Sequence, residues 1–489
     1  MNRNIRLAGF VFLGLVLGLG VVVGALYVLT QTEFGLERVR RFALEQVGRQ
    51  TQGALHVERI ESAGLFGGVV LHGVKLDDPL GFPFLRADSI RLRYRWRNLI
   101  RGQVVFDRLV AYRPEVNLLR LPGDTLWNFE RIFADRTPDE DGEDNFILID
   151  RATIVGGSVA IRTPWTPDEP ITEPDDTARL ILEEIPGYGL VRVLRFEEVD
   201  AEFPRVLWES PVEEGKLFRI RRLSTRGYIW KTPFELDDLS GVVTIRDSLI
   251  SFEADRFRLP GSRGSGVGRI ILGDRNLYDI RIVGDEVQFA DLQWLYPPLP
   301  DEGSGELVFR IQSQPEGGTL WLAQDAHLRA PGTVLRGDFG IVTGDTLYFT
   351  QVNLRASPID LELLADVLPV ELPVEGLMVG TVVVEGPISS LETEVDVRLT
   401  RVGNATPARV RGKGTLDLRS PVGVQDLDAT ITGLDLSMVP VLQQRMQGAG
   451  VVSGQVRATA SGNGTVHLTT AIRHELEGRA PSVVRGTGT

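Results

Sequence analysis

The stretch Ser89-Ile90-Arg91-Leu92-Arg93-Tyr94-Arg95-Trp96-Arg97 decides the fold class. Ile90, Leu92, Tyr94 and Trp96 alternate with arginines, and successive side chains of an extended chain point to opposite sides, so this segment has one apolar and one guanidinium face. A helix would scatter both sets around its circumference. The same period of two returns in Leu307, Phe309 and Ile311 and in Val395, Val397 and Leu399, with Gly, Pro, Asn and Asp punctuating the intervals. No long amphipathic helix interrupts these runs, although Leu292 to Tyr296 and Met438 to Met446 read as short helical pieces. From Leu55 onward the chain reads as mainly β.

Upstream the pattern is different. Leu7 to Leu29 contains no charged side chain and at 1.5 Å per residue reaches roughly 35 Å, enough to cross a hydrocarbon core. Arg3 and Arg6 precede the run, while Glu33 and Glu37 come before Arg38, Arg40 and Arg41 on the other side, a bias toward a cytoplasmic N-terminus. Gly24-Ala25 is a poor cleavage site, so the run reads as an uncleaved signal anchor rather than a signal peptide. The expectation is a single-pass membrane protein with nearly all of its chain on the far side. Gly14, Gly18, Gly20 and Gly24 give two GxxxG spacings, but glycine is common in membrane helices and dimerisation does not follow. Thr32 to Gly48 follows as a short helix, with Thr32 as N-cap and Phe34, Val39, Phe42, Leu44 and Val47 supplying apolar surface.

The balance of 66 Asp+Glu against 53 Lys+Arg argues against a nucleic-acid partner. Without cysteine there is no disulfide framework and no thiolate metal site. Residues 137–145, with five acids, and 163–177, with four prolines, read as loops. The first fails as a calcium loop, because placing Gly142 sixth puts Leu148 where a glutamate is needed. The expected divisions are 1–30 for the cytoplasmic tip and anchor, 31–52 for the capping helix, 53–136 for a first β region and 137–489 for a repetitive one.

That repetition has a period of about 75 residues. Arg336-Gly337, Arg411-Gly412 and Arg485-Gly486 each open a Gly-rich strand, and Leu299-Pro300-Asp301-Glu302-Gly303 finds an echo in Leu372-Pro373-Val374-Glu375-Gly376, with Gly448-Ala449-Gly450 one period on. The Asp279 to Gly284 spacing recurs at Asp428 to Gly433, though not in the middle copy. One supersecondary unit stacked on its own copies is the implied arrangement. The third Arg-Gly stands directly before Thr489, so the chain is expected to be a fragment of a longer protein.

Catalytic readings fare poorly. The five histidines, His56, His72, His327, His467 and His474, show no HxxxH or HExxH spacing. Gly261-Ser262-Arg263-Gly264-Ser265-Gly266-Val267-Gly268 lacks the Lys-Ser/Thr ending of a phosphate loop and runs into the strand-like Arg269-Ile270-Ile271-Leu272. No acid pair can be assigned environments that would split their pKa values. No enzyme, metal or cofactor is expected.

The order of anchor, short helix, Gly53-Ala54-Leu55-His56-Val57, then Gly67-Gly68-Val69-Val70-Leu71-His72-Gly73-Val74-Lys75-Leu76-Asp77 and Ala87-Asp88-Ser89-Ile90-Arg91-Leu92 resembles the AsmA-like proteins, most closely the TamB (translocation and assembly module) family. Arg113-Pro114-Glu115-Val116-Asn117-Leu118 and Gly123-Asp124-Thr125-Leu126-Trp127-Asn128-Phe129 are similar to that family's strand with a proline and its Gly-x-x-x-Trp-Asn turn. The resemblance covers residues 1 to about 130 and is one of pattern beyond. It implies a long, twisted β-sheet curled into an open hydrophobic groove, anchored in the bacterial inner membrane and standing in the periplasm. It implies phospholipid transport between inner and outer membranes and support of outer-membrane biogenesis. A further implied partner is an outer-membrane assembly protein, met through a C-terminal part absent from this sequence.

A phospholipid leaving a bilayer exposes acyl chains at roughly 0.8 kcal/mol per CH₂, on the order of 12 kcal/mol for a chain of about sixteen carbons. Alternating strands remove that cost if their apolar face is turned inward and left open. Roughly thirty strands at about 4.8 Å spacing reach some 150 Å, a scale suited to an intermembrane space. Ile90, Leu92, Tyr94, Trp96, Leu307, Phe309, Ile311, Val395, Val397 and Leu399 are the candidate lipid-facing residues. Periodicity alone favours an ordinary closed core; the missing long helices and the repeated unit narrow the gap, and the family resemblance reverses the order. The second hypothesis is an assembly scaffold whose sheet edges pair with client strands, and the third an anchored hydrolase, motivated only by the clustered acids.

Overall fold

The structure, a computed structural model, describes residues 52–62, 68–94, 103–133, 146–165, 181–209, 215–229, 232–246, 248–273, 275–315, 317–368, 372, 374–401, 407–419, 423–439, 450–460, 466–476 and 480–488. The expected anchor, Leu7 to Leu29, and nearly all of the helix expected over 31–52 lie outside these. Among the described residues no helix is long and apolar enough to cross a membrane. The chain is mainly β, with 28 strands among the described residues and few helical turns. It divides into two compact units, Met1–Asp247 and Ser248–Thr489. The division at 136/137 expected from sequence falls inside the first unit, because strands from both sides of it pair with one another.

In the first unit β1 (Ala54–Ser62), β2 (Val69–Asp77) and β3 (Pro83–Tyr94) form an antiparallel meander. The next strands come as broken halves. β4 (Gln103–Tyr112) and β5 (Glu115–Leu119) both pair antiparallel with β3, and they are separated only by Arg113-Pro114. β6 (Phe146–Ile149) and β7 (Ala152–Pro164) follow a crossover and pair with them in parallel. The crossover holds the helix α1 (Asn128–Phe133). β9 (Gly189–Phe203) with β10 (Arg205–Glu209) then lies antiparallel to β7 and β6, and β12 (Arg222–Ile229) with β11 (Lys216–Ile220) antiparallel to β9 and β10. β8 (Leu182–Ile185) pairs with the start of β9; β13 (Thr232–Leu236) and β14 (Asp238–Arg246) pair with β12 and β11.

The second unit is more regular. β15 (Leu249–Arg258), β16 (Arg263–Ile271), β17 (Leu277–Gln288), β18 (Ser304–Ser313), β19 (Thr319–Ala330), β20 (Thr333–Thr343) and β21 (Tyr348–Asp360) each pair antiparallel with the next. The meander continues through β22 (Leu377–Pro387), β23 (Leu391–Thr400), β24 (Ala408–Asp417), β25 (Gly423–Asp435), β26 (Val451–Ala460), β27 (Val466–Glu475) and β28 (Ser482–Gly488).

Within this meander the repeat is a physical unit of four strands. β17, β21 and β25 each carry a bulge near their ends, where the register slips between Gly284 and Val287, Ala356 and Ile359, and Ile431 and Leu434. Each then runs directly into a helical turn: Phe289–Leu292, the helix α2 (Leu361–Val367), and Leu436–Met438. The first N–H of each turn donates to the carbonyl of Gly303, Gly376 or Gly450, at 2.9 Å in all three copies. The sequence echoes at Gly303, Gly376 and Gly450 therefore mark one backbone contact. The middle copy shares it, and shares the bulge, although its sequence lacks the Asp-to-Gly spacing.

Bulges interrupt many ladders, and at several the extra residue sits in the left-handed region. Arg113, Glu198, Asp325 and Gln351 have φ of 44°, 50°, 51° and 53°. A bulged strand bends and twists more strongly, and its extra N–H loses its ladder partner. Side chains of the adjacent strand supply replacements. Asp325 N–H donates to Asp338 Oδ1 at 2.8 Å, Gln351 N–H to Glu385 Oε2 at 3.3 Å, and Gly156 N–H to Asp200 Oδ1 at 2.9 Å.

Candidate functional site: the apolar sheet face

Residues directly opposite each other in a ladder share a face. In the first unit Leu71, Ile90, Ala111, Ile154, Ala201 and Leu223 form one such row across neighbouring strands, and Leu92, Leu109, Ala152 and Phe203 the next. Ile90 and Leu92 are half-buried in these rows. The side chain of Tyr94 and all of Trp96 lie outside the described residues.

In the second unit Ile280, Ile311, Trp321, Ile341 and Phe349 make one row, and Ile282, Phe309, Ala323 and Phe339 a parallel one. Phe309 and Trp321 meet with ring centroids 6.3 Å apart. Leu307, Phe309 and Ile311 are half-buried on this face, while Glu306, Arg310 and Gln312 alternate with them. Farther along, Gly380, Val397, Val410 and Ile431 lie in register, as do Val382, Val395, Gly412 and Ala429. The opposite face of the same strands carries Asp396, Arg409, Arg411, Asp428 and Arg457, paired at 3.1 to 3.8 Å in exposed ion pairs that contribute little to stability.

The structure brings the β18 triplet and the β23 triplet onto one face of the second unit but gives them different surroundings. Val397 and Leu399 are 5 % and 4 % exposed, within a cluster with Leu335, Ala356, Ile359, Leu361, Ala408, Leu434 and Met438. Val395 packs against its margin. Leu361 begins α2 and Met438 ends the last helical turn, so the helical inserts cover this end of the face. The sequence leads to the expectation of short helical pieces at Leu292 to Tyr296 and Met438 to Met446, on an apolar face otherwise uncovered by helices; the turns stand at Phe289–Leu292 and Leu436–Met438, with α2 between them, and cover more of the face than expected. The difference arises because the strand ends need partners for their backbone groups, and a short turn carrying apolar residues supplies both. Successive inserts also touch one another: Tyr296 OH donates to Val367 O, and Glu375 N–H to Met438 O at 2.9 Å. Burial pushes the Tyr296 phenol up from its ordinary pKa.

The first unit closes one end of its apolar face by polar means. Ile132 of α1 is fully buried, and a Cβ on Gly53 would stand 3.2 Å from both its side chain and that of Leu76. Buried Asn128 takes the place of a strand: its Oδ1 accepts Leu119 N–H at 3.0 Å and its Nδ2 donates to Asn117 O at 2.7 Å. Arg131 then donates to Asp78 Oδ2 through Nε at 3.1 Å and Nη2 at 2.8 Å, and to Asp124 Oδ2 at 2.8 Å. Asp78, its side chain wholly buried, also accepts Leu80 and Phe82 N–H. These residues were not singled out by periodicity. Only Asn128 and Asp124, inside the Gly123-to-Phe129 motif, carried a signal.

On the far face of the same strands Glu183 accepts from Arg162 Nε at 2.6 Å and from Arg195, while Arg162 also reaches Asn117 Oδ1 at 2.9 Å. Burial works to raise the Glu183 pKa, but the hydrogen bonds and charges of the two arginines outweigh it and hold the carboxyl below its usual value.

No family model matches this chain. No curated protein matches it, and no solved structure does. Among the described residues no three His, Cys, Asp or Glu come together as a metal site. The arrangement offers extended apolar surface, half-buried along β3 and β18 and closed by helical turns at the β23 end, rather than a pocket of converging polar groups.

Proposed function

We propose that this chain is an inner-membrane-anchored β-groove protein of the AsmA-like, TamB-related kind, whose apolar sheet face accommodates phospholipid acyl chains in transit between inner and outer membranes. The observation that carries the reading is the set of apolar rows in each unit, buried in places as at Phe349 but with Ile90, Leu92, Leu307, Phe309 and Ile311 half-buried on it. A closed core would bury such side chains as Val397 and Leu399 are buried. Half-burial of large apolar residues over many strands is unusual for a monomer in water and fits a surface with an amphiphilic occupant. Leu7 to Leu29 supplies the anchor and a periplasmic location for the rest, without a catalysed reaction. Transport along such a face would need no cofactor, and the acidic chain does not favour nucleic acid.

Phospholipid retained on purification in mild detergent, measured by mass spectrometry, tests the proposal. Phe309→Asp and Ile311→Asp should reduce the lipid carried per protein several-fold while leaving the fold intact. Equal lipid in wild type and variants would contradict it.

A further inference from the structure

Two arginines, Arg120 and Arg192, stand on the side of the first unit that carries the Leu118, Ile161 and Leu194 row, opposite the buried cluster of Leu119, Leu121, Val191 and Val193. The parallel ladder of β5 and β7 pairs Leu118 with Ile161 and Leu119 with Arg162, and the Arg120 N–H extends it by donating to Arg162 O at 3.0 Å. Arg162 points to the far face, where Glu183 and Asn117 hold it. Arg120, two residues from Leu118, therefore shares the apolar face and lies opposite Thr163, which is in turn paired with Arg192. The row Arg120, Thr163, Arg192 is the step next to the apolar row Leu118, Ile161, Leu194.

The Arg120 guanidinium lies 5.6 Å from the ring centroid of Trp127, which itself stacks on Phe129. Its Nε is buried and has no hydrogen-bond partner. A buried guanidinium N–H left without an acceptor is costly, and such groups in native proteins call for an explanation. The acids on either side of Trp127 in the sequence have partners of their own: Glu130 accepts Trp127 N–H at 2.7 Å, and Asp124 accepts from Arg131. Arg192 has partners of its own, and Glu184 lies on the same face one row away across β8 and β9.

We infer that Arg120, with Thr163 and Arg192 beside it, forms a subsite for the anionic head of an amphiphile whose chains lie over Leu118, Ile161 and Leu194. A planar fork of N–H donors pre-set by an aromatic ring suits the oxygens of a phosphate ester or carboxylate. The apolar row alongside supplies what a free anion would not use. This assignment rests on the groove reading above and adds head-group charge as a selecting feature.

Two soluble probes with the same short chains test it on the full chain: dihexanoyl phosphatidate, which is anionic, and dihexanoylglycerol, which is not. Arg120→Gln should weaken phosphatidate binding by about tenfold, the scale of a charge-assisted hydrogen bond, and leave dihexanoylglycerol binding unchanged. Arg120→Lys, which keeps the charge but loses the fork, should fall between. An equal loss for both probes, or no loss for phosphatidate, would overturn the subsite while leaving the groove reading intact. Inorganic phosphate binding as tightly as phosphatidate would mark a simple anion site and overturn the amphiphile assignment. Binding of neither probe to the wild type would instead sink the groove reading, and this inference with it.

Discussion

The two units end their apolar faces by contrasting means. In the first, α1 closes the face through a buried polar network, in which Asn128 replaces strand partners and Arg131 binds Asp78 and Asp124. In the second, each closure is a backbone hydrogen bond to a glycine carbonyl plus a buried apolar plug: Phe289, Leu361, or Leu436 with Met438. A polar network is strong only when every member is present. A backbone contact with an apolar plug tolerates sequence change, provided the glycine and the size of the plug are kept. This suits repetition: the second device appears three times with little sequence identity, the first once.

The largest expected effect is therefore in the first unit. Arg131→Met leaves Asp78 buried without its partner and should destabilise that unit by about 3–5 kcal/mol. Hydrogen exchange of β2 and β3 should then rise while that of β22 and β23 does not. A loss below about 1 kcal/mol would show that the network does not close the face.

Next come the glycines of the repeat. Gly380 and Gly454 have φ of 144° and 151°, and a Cβ there would stand 2.1 Å from Asp396 O and 2.0 Å from Ala471 O. Gly380→Ala should cost about 1–3 kcal/mol, through forced separation of β22 from β23. Chemical denaturation would measure it, and a neutral substitution would mean that the strands are not in this register.

A smaller contrast lies between the three inserts themselves. Asp360 and Asp435 cap their turns by accepting Glu362 N–H at 3.0 Å and Ser437 N–H at 2.9 Å, whereas Gln288 at the same place makes no such bond. Asp360→Ala should cost about 1 kcal/mol and Gln288→Ala close to nothing.

The smallest effect is on pH. Burial tends to raise the pKa of Asp435, but Ser437 and Arg401 outweigh it and hold the pKa below the ordinary carboxylate value, as the two arginines do for Glu183. Both carboxylates stabilise the fold above their unfolded pKa, and the contribution is lost as pH falls through the lower folded value. Thermal midpoints should fall from about pH 5 downward, less steeply in Glu183→Gln.

The strand alternation of Ile90 and Leu92, of Leu307 to Ile311 and of Val395 to Leu399 was legible because a half-buried strand writes its face into every second residue. The repeat was legible at Gly303, Gly376 and Gly450 because each marks a contact that returns. The bulges were not. One extra residue shifts the apolar set from odd to even positions, as between Ala323 and Ala326 or Phe349 and Val352, and to a periodicity search the strand simply appears to end. Non-glycine residues such as Asp325 and Gln351 adopt the left-handed conformation there because a neighbouring strand offers a carboxylate, a relation that local sequence does not carry. Asp78 and Arg131 meet across 53 positions for the same reason. The helix α2, a single short stretch from Leu361 to Val367 close after Pro358, has no apolar period long enough to announce it.

The central claim is that one face of β18 meets lipid and the other does not. Photo-crosslinkers placed singly at each position from 306 to 312, in the full chain, test it most directly. The account predicts phospholipid adducts at Leu307, Phe309 and Ile311 and none at Glu306, Val308, Arg310 and Gln312. Adducts without that alternation, or adducts to protein alone, would contradict it.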